Sequence, residues 1–201
     1  MKAAQIYDIS QEVFSCQVFP GDPSPKKQTL NSMADGGLYN LTALSMCAHN
    51  GTHIDAPYHF INDGKTIDML PLSATVGWAY LAEFNGILTA NDAQNILNEA
   101  QSLSQDAAKR ILLKGKATVS LQAAQVFAAS GVVLVGNESQ TVGPENAPME
   151  VHKVLLGADV VLLEGIRAQH VPQGVYWLCA SPLLLGACDG APCRAILVKF
   201  E

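Results

Sequence analysis

Residues 120–136 read SLQAAQVFAASGVVLVG. Ser120 has the side-chain oxygen that a helix start needs, and LQAAQVFAA behind it is amphipathic. Gly131 suits the left-handed stop at a helix C-terminus. VVLVG (132–136) then runs apolar without alternation, as a strand buried on both faces does. The rhythm repeats, with a helix around 149–156 leading into DVVLLEG (159–165). Helix then strand, twice over, predicts an α/β chain whose mixed β-sheet core has helices packed against it.

Outward from that segment, QIYDI (5–9) and residues 14–19 alternate like short strands, and Pro20-Gly21-Asp22-Pro23 between them and the next run is a turn. LYNLTALSMCA (38–48) is rich in β-formers, and GWAYLAEF and GILT (77–89) read as further strands. Asn91-Asp92 can cap a helix over AQNILNEA, and Asp106 can start a short one over AAKRI. VYWLCASPLLLG and CRAILVKF return the tail to β structure. No repeat, low-complexity stretch or linker interrupts the chain, so residues 1–201 are expected to form a single domain.

At 201 residues the chain is long enough to bury a core, and 49% hydrophobic residues with a mean hydropathy of +0.17 fit a globular protein. A net charge of -6, a pI near 5.3 and the lack of any basic cluster exclude a nucleic-acid partner. MKAAQIYDIS has no apolar export-signal core, and Gly, Asp or Pro breaks every apolar run short of membrane-spanning length. Cys16, Cys47, Cys179, Cys188 and Cys193 are odd in number without CxxC spacing, so they read as reduced, mostly buried thiols of a cytoplasmic protein.

Histidine is scarce, yet HNGTHIDAPYHF (49–60) holds three of the five. The pattern His-x3-His-x-Asp-x3-His offers the imidazole nitrogens and carboxylate oxygen that borderline divalent metals prefer. In an extended segment His53 and Asp55 project to one face. A bend at Gly51 would bring His49 to the same side, and Pro57 would return His59 towards it. Further along, His152 opens HKVLLGA, and Glu164 ends an apolar strand where an unpaired carboxylate is costly.

With these residues the chain resembles the metal-dependent cyclase family that includes bacterial kynurenine formamidase (arylformamidase) and isatin hydrolase. His49, Gly51, Thr52, His53, Asp55, Pro57 and His59 match its motif HxGTHxDxPxH. HKVLLGADVVLLEG (152–165), ACDGAPCR (187–194) and the PGD turn (20–22) match its other blocks in order. The resemblance implies a swivelling β/β/α domain that forms homodimers or homotetramers. It implies one metal on His49, His53 and Asp55, a second on Asp55, His152 and Glu164, and His59 as acid/base residue. Phe19 takes the place of a Trp that packs on the aromatic substrate, and His-Asn-Gly-Thr-His replaces the formamidases' His-Thr-Gly-Ala-His.

The ligand set dictates a chemistry of its own. A divalent ion, zinc or else manganese or iron(II), lowers the pKa of bound water towards neutrality and stabilises a developing oxyanion. A histidine beside it can pass the nucleophile's proton to a departing nitrogen. The expectation is a hydrolase of C–N bonds in small amides, acting through one or two ions. A hydrolase or cyclase of a cyclic imide, lactam or lactone is the enzymatic alternative. The other is a binding domain in which metal only ties loops together, although a structural zinc site is usually closed by Cys-rich ligands. Asp22 and Asp189 read as local turn residues, Arg194 as a strand-start salt bridge, and His170 as a loop residue.

Overall fold

In the computed structural model, which describes residues 4–200, Ser120 accepts the Ala123 N–H at 3.1 Å and starts the helix its sequence predicts. Residues 1–3, at the start of the stretch read for an export signal, and residue 201 lie outside the described residues. The helices are α1 Leu72–Thr75, α2 Ala90–Leu103, α3 Leu121–Ala129 and α4 Met149–Gly157. The strands begin with β1 Gln5–Asp8, β2 Lys26–Asn31, β3 Leu41–Ser45, β4 His53–Asp55, β5 Val76–Glu83 and β6 Gly86–Leu88. They continue with β7 Arg110–Lys114, β8 Ala117–Val119, β9 Leu134–Asn137, β10 Val161–Glu164, β11 Gly174–Cys179, β12 Gly190–Pro192 and β13 Ile196–Lys199.

Nine strands make one mixed sheet in the order β1-β13-β11-β5-β7-β9-β10-β4-β12. The central run β5-β7-β9-β10 is parallel, and the strands flanking it on both sides are antiparallel. β2 and β3 form a separate antiparallel hairpin, and β6 pairs with β8. Among the described residues no helix is long and apolar enough to cross a membrane.

Strand alternation divides the interior into two layers. Tyr80, Ile111, Val135 and Leu162 pack against Leu97, Phe127 and Leu155 on the helical side. Leu81, Leu112, Leu134, Leu163 and Ile54 fill the opposite layer. Ile54 and Leu163 lie in that second layer, so period-two alternation turns His53, Asp55 and Glu164 towards the helices. Each fully buried Leu or Ile contributes roughly 1.5–3 kcal/mol. A one-residue slip of β4 would expel Ile54 from its layer and carry the His53 and Asp55 side chains away from α4, so core packing sets the register of the site.

Several local expectations are corrected. Residues 14–19 form no strand: the Glu12 carboxylate accepts the Phe14 and Ser15 N–H groups and winds Val13–Ser15 into a 3-10 turn. Thr89, not Asn91-Asp92, caps α2, and Asp92 is the reciprocal member of a capping box. The segment after Asp106 is helical only at Ala107–Lys109, and Arg110–Lys114 is the central strand β7. Arg110, within the helix expected over AAKRI, is buried in the strand and donates its guanidinium to the Ser73, Ala74 and Trp78 carbonyls. The five cysteines are free and half-buried. Arg194 pairs with the Asp8 carboxylate near the start of β13.

Candidate metal centre

β4 carries two of the predicted ligands and pairs on both sides. Glu164 lies opposite His53 across β10, and Gly190 lies opposite Asp55 across β12. The register therefore sets one imidazole and two carboxylates on a single patch of sheet. Gly51, at φ +72°, turns the chain before β4 and folds His49 back over it. Gly190 lets that ring approach, because a Cβ there would lie 2.7 Å from His49 Cε1. Pro57 begins the 3-10 turn that ends at His59. From the helical side, α4 presents His152, which is its fourth residue rather than its first.

All the predicted polar residues meet around Asp55. His49 Nδ1 lies 2.8 Å and His53 Nε2 3.3 Å from Asp55 Oδ1, and His152 Nε2 lies 3.6 Å from Oδ2. Glu164 reaches His152 Nε2 at 3.2 Å and His53 Nε2 at 3.6 Å. Two tight triplets stand out, His49–Asp55–His59 and His53–Asp55–Glu164, each with ligand atoms within 4.8 Å of one another. Both share Asp55. They cut across the implied pairs of ligand sets by drawing in His59 and leaving His152 at the edge.

The donor set fits a divalent cation. His53 Nδ1 faces the Gly51 carbonyl at 3.0 Å and His152 Nδ1 faces the Pro148 carbonyl at 2.9 Å. A carbonyl only accepts, so both Nδ1 atoms carry hydrogen, and each ring when neutral directs its Nε2 lone pair at the carboxylates. Lone pair against carboxylate is repulsive unless a proton or a cation lies between them. Asp55 Oδ2 is moreover buried with no hydrogen-bond partner, which is costly without an ion.

The electrostatics of the ion-free protein agree. Burial disfavours charge on His49, but Asp55 and Asp189 outweigh it and raise its pKa to about 11. Burial likewise opposes charge on His53, and Asp55 and Glu164 raise it to about 9. His152 is raised despite burial, chiefly by Glu164. Asp55 is held well below the carboxylate range because His49 and His53 overcome its burial. Among these histidines His59 alone is lowered, first by burial and then by the charges of His49 and His152, against the pull of Asp55.

A cavity of about 330 Å³ opens onto these groups. Phe19 lines it, as do Gln140, Thr141 and Cys47. Phe19 is held by the turn in which the Asp22 N–H donates to its carbonyl at 3.0 Å. Asn50 ties this loop to the histidine motif by donating to the Pro23 carbonyl. Two contributors were missed in the sequence. Phe60 packs on His152 with ring centroids 4.7 Å apart, and its motif position beside His59 was the available signal. Asp189, read as a turn residue, faces both His49 and His59. Only the return of β12 to β4 reveals that contact.

Residues 7–144 match the family model described as "Putative cyclase". The chain is 30% identical over 211 residues to a kynurenine formamidase of Bacillus anthracis, covering 98% of this chain and 99% of the relative. It is 32% identical over 208 residues to a kynurenine formamidase of Salinibacter ruber, covering 96% of each. A solved structure of a potential metal-dependent hydrolase with cyclase activity superposes at a TM-score of 0.82, with 27% identity over 99% of this chain and 100% of that one. An isatin hydrolase bound to thioisatinate superposes at 0.84 over 98% of this chain and 93% of that one, and at 16% identity it shares the fold alone. The chain belongs to the cyclase family.

Proposed function

We propose that this protein is a metal-dependent hydrolase that cleaves the C–N bond of a small amide, with an aromatic formamide as its substrate class. The convergence of four histidines with Asp55 and Glu164 beside one cavity carries this reading. The kynurenine formamidases it resembles support the amide. His49, His53 and Asp55 would hold one cation, and Asp55, His152 and Glu164 a second. Zinc suits the nitrogen-rich set best, with manganese and iron(II) as alternatives. A divalent cation supplies Lewis acidity that brings water and a carbonyl within reach of each other at neutral pH.

The chain's own residues supply the proton chemistry and the orientation. His59 is unprotonated at neutral pH because burial lowers its pKa, so it can accept a proton at the cavity wall. It then returns that proton to the departing nitrogen, without which an amide anion leaves poorly. Phe19 offers an apolar face to an aromatic ring. Its lack of the indole N–H, with Asn50 and Thr52 in the first motif, favours as second reading a cyclic imide or lactam. Free cysteines support a cytoplasmic setting. Exposed Leu30, Met33, Leu38, Leu41 and Leu44 on and beside the β2–β3 hairpin support a homodimer or homotetramer.

Turnover of N-formylkynurenine and of isatin by zinc-, manganese- or iron(II)-reconstituted protein tests the assignment. The expected result is hydrolysis of the formamide that chelation abolishes and metal restores, with unchanged far-UV circular dichroism. Preference for isatin would establish the lactam reading. A metal-replete protein inert towards amides, lactams and esters would leave the metal-stabilised binding domain.

A further inference from the structure

We propose that Asp189 is a positioning residue whose single oxygen, Oδ2, sets the tautomers of a metal-ligand histidine and of the acid/base histidine together. His49 Nε2 lies 2.9 Å and His59 Nδ1 3.3 Å from that oxygen. An ionised carboxylate only accepts, so each facing nitrogen carries hydrogen. His49 is thereby left with Nδ1, the atom facing Asp55, as its nitrogen for a cation. His59 is left with Nε2 as the lone pair for proton transfer, a clause that rests on the proposed hydrolytic role.

The geometry lets one oxygen serve both rings. His49 and His59 stack with centroids 4.1 Å apart and planes 30° from parallel, so their edges reach a common point. The backbone fixes where that point lies. The Asp189 carbonyl accepts the Ala56 N–H at 2.9 Å, and Gly190 next to it pairs with Asp55. The carboxylate therefore sits one residue before the strand that borders Asp55. Among the described residues its side chain has no bond to any side chain other than these two histidines. A histidine that donates its remote N–H to a carboxylate is a better and better-aimed ligand. Here the same acceptor also aims the neighbouring base, which couples metal capture to proton transfer.

Asp189→Ala and Asp189→Leu test this in the full chain. Leucine keeps the branched shape but offers no acceptor to either ring, so it carries the test if alanine fails to fold. Ring ¹⁵N NMR of the metal-free and zinc-loaded proteins reads the tautomers, and competition with a chromophoric chelator reads zinc affinity. Both need no substrate, so they stand or fall apart from the substrate assignment. The expected result is loss of the Nδ1–H form of His59 and zinc affinity about 10–100-fold weaker. With a turned-over amide, kcat should fall about 100-fold or more at nearly constant KM, and Asp189→Glu should restore part of it. An unchanged His59 tautomer overturns the proposal, even if activity drops through lost metal. Unchanged zinc affinity overturns it equally.

Discussion

Glu164 stands directly opposite His53 in the β10–β4 ladder, with Oε2 3.6 Å from His53 Nε2. The pairing belongs to the sheet itself, so its geometry does not depend on loop order. Glu164→Gln keeps the volume and the strand while removing the charge. Because first-contact ligands matter more than the groups behind them, metal affinity should fall by more than about 100-fold. Elemental analysis after dialysis measures this. Full metal occupancy in that variant would remove Glu164 from the ligand set.

His59 lines the cavity with Nδ1 3.3 Å from the Asp189 carboxylate, and its burial disfavours the charged form. His59→Asn should lower kcat about 100- to 10,000-fold while metal content stays that of the parent. Steady-state kinetics together with elemental analysis separate the two roles. Loss of bound metal in this variant would assign His59 to the ligands, as the tight His49–Asp55–His59 triplet also allows.

The histidine protons of the ion-free protein predict a definite pH response. His49 is raised to about 11 and His53 to about 9, both above the ~6.5 of an unfolded histidine. Their contribution to stability is complete below that unfolded value and disappears as pH rises through about 9 and then about 11. Chelated protein should therefore melt at progressively lower temperature between neutral and alkaline pH. Metal binding at neutral pH must displace these protons, which calorimetry in buffers of different ionisation enthalpy counts. A Tm independent of pH over that range, with no proton release, would contradict the arrangement.

Gly190 adopts a conformation open to alanine, so its substitution tests crowding alone. The added methyl would lie 2.7 Å from His49 Cε1 and 2.8 Å from the Ile54 carbonyl. Overpacking of this kind costs roughly 1–3 kcal/mol. Gly190→Ala should melt lower and bind metal more weakly, as calorimetry and chelator competition would register. A variant with parental stability and affinity would mean that the His49 ring moves aside freely.

Phe19 contributes surface rather than chemistry. Phe19→Ala should raise KM for an aromatic amide several-fold at constant kcat, since an aromatic pair is worth about 0.5–1.5 kcal/mol beyond area burial. Phe19→Trp should lower it. Equal kinetics in all three proteins would place the substrate ring elsewhere.

The helix–strand pairs 121–137 and 149–164 were legible because apolar runs, caps and stops agreed there. The histidine cluster at 49–60 was legible because scarce residues shared one short segment. β7 was not, since Arg110 and Lys114 flank ILL with charges that look solvated until their backbone-carbonyl partners are known. β2 has no apolar face to announce it, being exposed along nearly its whole length. Asp189 stayed hidden because its role comes from a contact 140 residues away in sequence. Local patterns report which groups a segment offers, but long-range pairing decides which of them meet.

The last strand of the sheet, β12, is three residues long, and it closes the open side of β4. Fraying of so short an edge would release Gly190 from Asp55 and withdraw Asp189 from both histidines, and would uncover from the second layer only the small side chain of Ala191. Escape of a captured ion would then need an opening much smaller than global denaturation, which would let a holoprotein exchange its cation while remaining folded.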